Sequence, residues 1–153
     1  MILRSRDAPR FHAGPKETRL SHSLAVQRRQ RLQHACEAAG IRTLLVYGNA
    51  WTCDYLRYAT DFAPLEGHAL ALVAPEGTRL LLEVRSEAAR ARVETSGLDV
   101  QWCADFHAAA RDAIARSTTP LAHVPGPHLP TGIAQALAGT IEFTEPFQRL
   151  LTA

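Results

Sequence analysis

G-I-R-T-L-L-V-Y-G, residues 40–48, decides the fold. Between its two glycines, residues 43–47 form an unbroken, largely apolar run rich in branched side chains, without the polar alternation of a strand that has one wet face. Such a run reads as a strand buried on both sides, and therefore as the centre of a sheet with a layer above and a layer below. Upstream, Leu24, Val26, Leu32, Ala35, Cys36 and Ala39 recur mostly at helical spacing. Ser21 or Ser23 is available as the N-cap of that helix and Gly40 as its stop, with Arg28, Arg29 and Arg31 largely on the wet face.

Downstream, residues 68–74 and 78–84 are two strand-like runs separated by Pro75, Glu76 and Gly77, the turn chemistry of a β-hairpin. Ser86 and Glu87 suit the first turn of a helix ending at Gly97. A strand over 99–103, a helix from Asp105 to about Arg116 and a strand over 121–124 follow, the last ended by Pro125, Gly126 and Pro127. A short helix over 130–137 and a strand over 141–143 complete the pattern. Strand-helix-strand units imply parallel neighbours while the hairpin inserts an antiparallel pair, so the expected class is α/β, a three-layer α/β/α domain with a mixed sheet. Residues 1–22 mix Arg, Pro, Gly, Ser and His without periodicity and read as an extended N-terminal arm, leaving 23–153 as the domain.

Composition agrees with one folded unit. At 153 residues, 46% apolar and 21% charged, the chain is long enough for one good core and has ordinary globular usage. No apolar run reaches the ~18–20 residues of a bilayer span, and the first twenty residues lack a secretory hydrophobic stretch, so a cytoplasmic location and no membrane partner are expected. Three widely spaced cysteines, Cys36, Cys53 and Cys103, form neither a disulfide framework nor a zinc knuckle and read as buried thiols. Eight of the 17 Lys and Arg fall in residues 1–34 against two acids. These cations are scattered and lack a stacking platform of aromatics, so nucleic-acid binding is not expected.

Motifs of catalysis are missing. There is no H-E-x-x-H, no Walker or G-x-G-x-x-G loop and no G-x-S-x-G elbow. His123 and His128 form the tightest histidine pair, with no acid between them, and Cys53 is a candidate thiolate only if a helix N-terminus activates it. No catalytic, cofactor-binding or metal-ligating residue is therefore assigned. The dense stretch is 47–68, Y-G-N-A-W-T-C-D-Y-L-R-Y-A-T-D-F-A-P-L-E-G-H, which follows the carboxyl end of the expected central strand, where α/β sheets tend to place ligands. Its aromatics lie among Asn49, Asp54, Arg57, Asp61, Glu66 and His68, the mixture found in pockets and interfaces. The plainer reading is that Tyr55 and Leu56 dock a short helix on the sheet.

R-R-x-R-L at 28–32, G-I-x-x-L-L-V at 40–46, Tyr55-Leu56 before Phe62, the hairpin and Ser86-Glu87-Ala88 occur in an order that resembles the N-terminal domain of the creatinase, prolidase and aminopeptidase P family. The resemblance spans about 24–143. Thr52 stands where the family has Asn, and the link from Leu56 to Phe62 is shorter. The resemblance implies an α/β/α domain with a ribonuclease H-like motif, set before a pita-bread catalytic domain that carries two divalent metal ions and is expected to be absent from this chain. It further implies a non-catalytic accessory role, with the parent's own catalytic domain and a homodimer partner as neighbours. By position, Trp51, Tyr55, Arg57, Tyr58 and Phe62 would form part of a pocket wall for a short peptide or small amidine, with Arg57 available to a carboxylate. Two other readings stay open: a standalone small-molecule or protein-binding module using residues 49–68, and an enzyme in its own right built on Cys53 or the histidines.

Overall fold

The computed structural model describes residues 15–83, 98–127 and 129–153. At its centre is β1 (Thr43–Asn49), whose first six residues are buried. Leu44 and Val46 point to one face of the sheet and Leu45 and Tyr47 to the other, each no more than 1% exposed. Burial of each such side chain stabilises by roughly 1.5–3 kcal/mol, which is why an unbroken apolar run selects the central position.

Helix α1 (Pro15–Ala38) leads into β1. Its end is a Schellman closure: Ile41 N–H reaches back to Cys36 C=O (2.9 Å) across Gly40 at φ 71°, and Cys36 and Ile41 share the same apolar cluster. The start corrects the sequence expectation, since residues 15–22, assigned to an extended arm, are helical. Pro15 at the first helical position has its φ set for the helix and gives up an N–H that has no intrahelical acceptor there. Residues 1–14 lie outside the described residues.

Helix α2 (Asp54–Thr60) follows β1, and then come β2 (His68–Ala74) and β3 (Gly77–Leu82), the expected hairpin around Pro75 and Glu76. The helix expected over 86–97 lies outside the described residues. Strand β4 (Asp99–Trp102), helix α3 (Phe106–Arg116), β5 (Leu121–Val124), α4 (Thr131–Ala136), β6 (Ile141–Glu142) and α5 (Thr144–Thr152) complete the order. Asp105 caps α3 by accepting from Ala108 N–H at 3.0 Å.

Among the described residues the six strands lie in the order β4-β3-β2-β1-β5-β6. Only β2 runs against its neighbours; the β1–β5, β3–β4 and β5–β6 pairs are parallel. One face carries α1, α2 and α5 around Leu32, Leu56, Phe62 and Phe147, and the other carries α3 and α4 around Phe106, Ala110, Ile114 and Ile133. The result is the three-layer mixed α/β/α architecture expected from the strand and helix pattern. No helix among the described residues is long and apolar enough to cross a membrane.

Candidate functional site

The turn after β1 is built by Asn49. Its Oδ1 accepts from Trp51 N–H (2.9 Å) and Thr52 N–H (2.8 Å), and its own N–H donates to Thr52 C=O (3.0 Å). This side-chain mimic of a backbone turn fixes the loop and leaves Trp51 95% exposed at its tip. Behind it, Gly48 lets α2 dock directly on the strand: a Cβ there would meet Leu56 Cβ and Cδ2 at 2.9 Å. At the other end of α2, Thr60 Oγ1 donates to Leu56 C=O (2.7 Å) and accepts from Phe62 N–H (3.2 Å). Asp61 takes the left-handed conformation (φ 58°) between them, and the reversal turns Phe62 into the core.

The five expected site residues are thus sorted by α2 and its flanks. Trp51 projects into solvent, and Phe62 is 4% exposed within the core. Tyr55 and Tyr58 each form a T-shaped pair with Phe147 of α5, at 5.2 and 5.5 Å between ring centroids. The Arg28 guanidinium lies 5.9 Å from the centre of the Tyr58 ring, whose hydroxyl is buried without a hydrogen-bond partner among the described residues. Arg57 is exposed and lines, with Tyr58, a groove of about 570 Å³ between α1, α2 and α5 in which Trp51, Tyr55 and Phe62 take no part. Cys53, expected to be a buried thiol or an activated one, is half-buried at the N-cap of α2, with Arg57 Nη2 3.7 Å from its sulfur.

A second constellation, at the carboxyl ends of β1 and β3, was not read from the sequence beyond His68 and Asn49. The Tyr47 ring is buried, and its hydroxyl meets His68 Nδ1 at 2.5 Å and accepts from Asn49 Nδ2 at 3.3 Å. Burial raises the Tyr47 pKa, the Glu83 charge adds to the rise, and the Asn49 donor opposes it. The phenol therefore stays protonated at neutral pH and serves as a donor rather than a base. Glu83 Oε2 accepts from His68 N–H (2.8 Å) and lies 3.9 Å from its Nε2, while the ring stacks on Phe106 (5.6 Å, 23°) and meets His107 at 60°. The register could have signalled this cluster, because Asn49 pairs directly with His68 across the β1–β2 ladder. That register is not visible before the length of the intervening loop is resolved into helix and turn.

His123 is tied down elsewhere. Its Nδ1 lies 2.8 Å from Thr140 Oγ1, whose hydrogen goes to Leu137 C=O (2.7 Å), so Nδ1–H is the donor. Burial lowers the His123 pKa, with Glu142 opposing. Its sequence partner His128 lies outside the described residues. Burial raises the Cys36 pKa to about 11, Glu37 adding to it, which makes that thiol inert at neutral pH. Among the described residues no three His, Cys, Asp or Glu side chains converge on a point where a metal ion could be held.

A mixed sheet between two helical layers, with an aromatic loop at the end of its central strand, defines a three-layer α/β/α domain. The family model described as the creatinase/prolidase N-terminal domain matches residues 28–144, and the chain belongs to this family. Solved structures agree on the fold. Prolidase from Pyrococcus horikoshii OT3 superposes with a TM-score of 0.57 at 16% identity, over 80% of this chain and 34% of that one. Xaa-Pro dipeptidase from Bacillus anthracis gives 0.60 at 18%, over 82% and 35%. A Xaa-Pro aminopeptidase structure from Streptococcus pyogenes gives 0.60 at 15%, over 84% and 98%. The chain thus spans about a third of the length of the first two. Comparison with curated proteins returned no match.

Proposed function

We propose that this chain is the non-catalytic N-terminal accessory domain of a metal-dependent Xaa-Pro peptidase or creatinase-like hydrolase, contributing to subunit pairing and to the wall of a substrate pocket. The observation that carries the reading is Trp51: within a domain of this family, an aromatic side chain 95% exposed is held on a rigid turn by Asn49. Trp is among the residues enriched at the energetic centres of interfaces, and a backbone already fixed by Asn49 lowers the ordering cost of using this one. In this reading Tyr55, Tyr58 and Phe62 act from behind, by fixing α2 on Phe147 and the core, and Arg57 is available for a bidentate contact with a substrate carboxylate. The divalent metal ions belong to the catalytic domain of the parent, the substrate is a short peptide or small amidine, and the assembly is a cytoplasmic homodimer.

Trp51→Ala in the full-length parent enzyme tests this. Dimer affinity measured by sedimentation should fall about tenfold or more. KM for an Xaa-Pro dipeptide should rise with kcat nearly unchanged, the mark of binding lost equally from ground state and transition state. If sedimentation and KM both match the wild type, Trp51 faces neither partner nor substrate and the reading fails.

A further inference from the structure

Three helices on one face of the sheet converge on the groove of about 570 Å³ lined by Arg57 and Tyr58, and its charged side chains are mainly cationic. Leu24, Gln27, Arg28 and Arg31 recur at three- and four-residue spacing on α1 and face it as one stripe, as do Asp54, Arg57 and Tyr58 on α2. From α5 come Leu150 and Leu151. The lining side chains therefore hold three guanidinium groups against the single carboxylate of Asp54. Among the described residues none of the three arginines is in an ion pair; Arg28 lies over the Tyr58 ring and Arg57 approaches only the Cys53 sulfur. Of the six other arginines whose side chains are described, Arg42, Arg79, Arg116 and Arg149 each pair with a nearby acid and Arg29 and Arg111 do not, so what marks the groove is three unpaired guanidinium groups gathered in one place. Leu24 stands 51% exposed beside these cations, so the groove has an apolar element as well as a charged rim.

We infer that this groove is a docking site for an acidic polypeptide segment. Carboxylates of the segment meet Arg28, Arg31 and Arg57, and its apolar side chains cover Leu24, Leu150 and Leu151. Guanidinium forks match carboxylates in bidentate geometry, and the stacking of Arg28 on Tyr58 holds one fork in place before binding. Two independent demands are made of the occupant, negative charge and apolar side chains at helical or extended spacing. The groove does not include Trp51 but shares Arg57 with the proposed pocket wall, so Arg28, Arg31 and Leu24 are the positions whose effect on peptide binding is read apart from that proposal.

The test uses the full 153-residue chain and a labelled amphipathic probe peptide alternating Glu and Leu clusters, followed by fluorescence anisotropy at low and at moderate salt. Saturable binding that weakens with salt is expected. An exposed ion pair contributes up to about fivefold in affinity, so R28E/R31E/R57E should lose more than about tenfold, with the fold verified by circular dichroism. Leu24→Ser should weaken binding without changing the salt slope, and R31K/R57K, which keeps the charge but loses two forks, should bind more weakly than the wild type and more tightly than the triple variant. Equal binding by the triple variant would overturn the inference. So would equal binding of polyglutamate, which would reduce the groove to a general anion patch. Arginine-dependent binding to phosphatidylserine vesicles with none to the peptide would overturn it in favour of a membrane surface.

Discussion

Gly40, ahead of β1, and Gly48, near its end, are glycine for different reasons. At Gly40 the backbone is left-handed (φ 71°) and a Cβ would meet nothing within 4 Å, so an alanine costs about 1–2 kcal/mol of backbone strain alone. At Gly48 the obstacle is Leu56, whose Cβ cannot move without carrying α2 with it. Gly48→Ala should destabilise by about 1–3 kcal/mol through overpacking. Urea melts separate the two: Gly40→Asn should recover most of the loss seen in Gly40→Ala, because Asn tolerates the left-handed region, whereas Gly48→Asn should be no better than Gly48→Ala. A Gly48→Ala protein as stable as the wild type would remove the close approach from the account. At His123 the sign of a pH effect follows from burial. Its folded pKa lies below the ordinary 6.5, so the unfolded chain takes up the proton first as pH falls. The stability contributed by neutral His123 is full above about 6.5 and is lost progressively below it. Thermal melts from pH 8 to 5 should show a fall in Tm that His123→Gln reduces; an unchanged slope in that variant would place the acid sensitivity in other groups. Residue identity was legible in the sequence at all of these positions, but direction was not. Phe62 reads as a site aromatic in the chain and lies in the core only because Asp61 reverses the backbone before it.

At the scale of elements, the legible ones carry their boundaries in turn or cap chemistry. Pro75-Glu76-Gly77 marks the hairpin, Asp105 caps α3 and Gly40 closes α1, and each boundary falls within a residue or two of its signal. Helix α5 was missed because it has nine residues and contains Pro146, which reads as a breaker. In the structure Pro146 is the third helical residue, where the missing N–H would have had no intrahelical acceptor, so the proline costs the helix little. Glu145 and Arg149, four apart and paired at 2.6 Å, were the remaining sequence signal. The short helix matters because Phe147 is fully buried and forms T-shaped pairs with both Tyr55 and Tyr58. Phe147→Ala should cost about 3–5 kcal/mol and should also collapse the near-ultraviolet circular dichroism of those tyrosines. A loss below about 1 kcal/mol with the aromatic signal intact would show that α5 does not hold α2 in place.

At the scale of the molecule, the layered architecture was legible because burial on both faces leaves its mark on one short run, 43–47, and everything else follows from connection rules. The site was less legible, since a loop of mixed aromatics and charges announces that something is there without saying which side chains meet. The whole-chain question is whether this domain does chemistry alone. Water attack on a peptide bond is slow, and the metal route to it needs about three protein ligands around an ion with an open position. The polar groups that do cluster here satisfy one another: the Tyr47 hydroxyl is committed to His68 and Asn49, and Glu83 is committed to the His68 backbone. Burial holds the Tyr47 proton in place, which removes it as a general base near neutral pH. The 153-residue chain, supplied with Mn²⁺ or Zn²⁺ and Xaa-Pro dipeptides, should therefore release no proline above the blank. Release that a chelator abolishes and His68→Ala lowers would mean that the strand-end cluster is itself a catalytic centre, and the accessory reading would have to be abandoned.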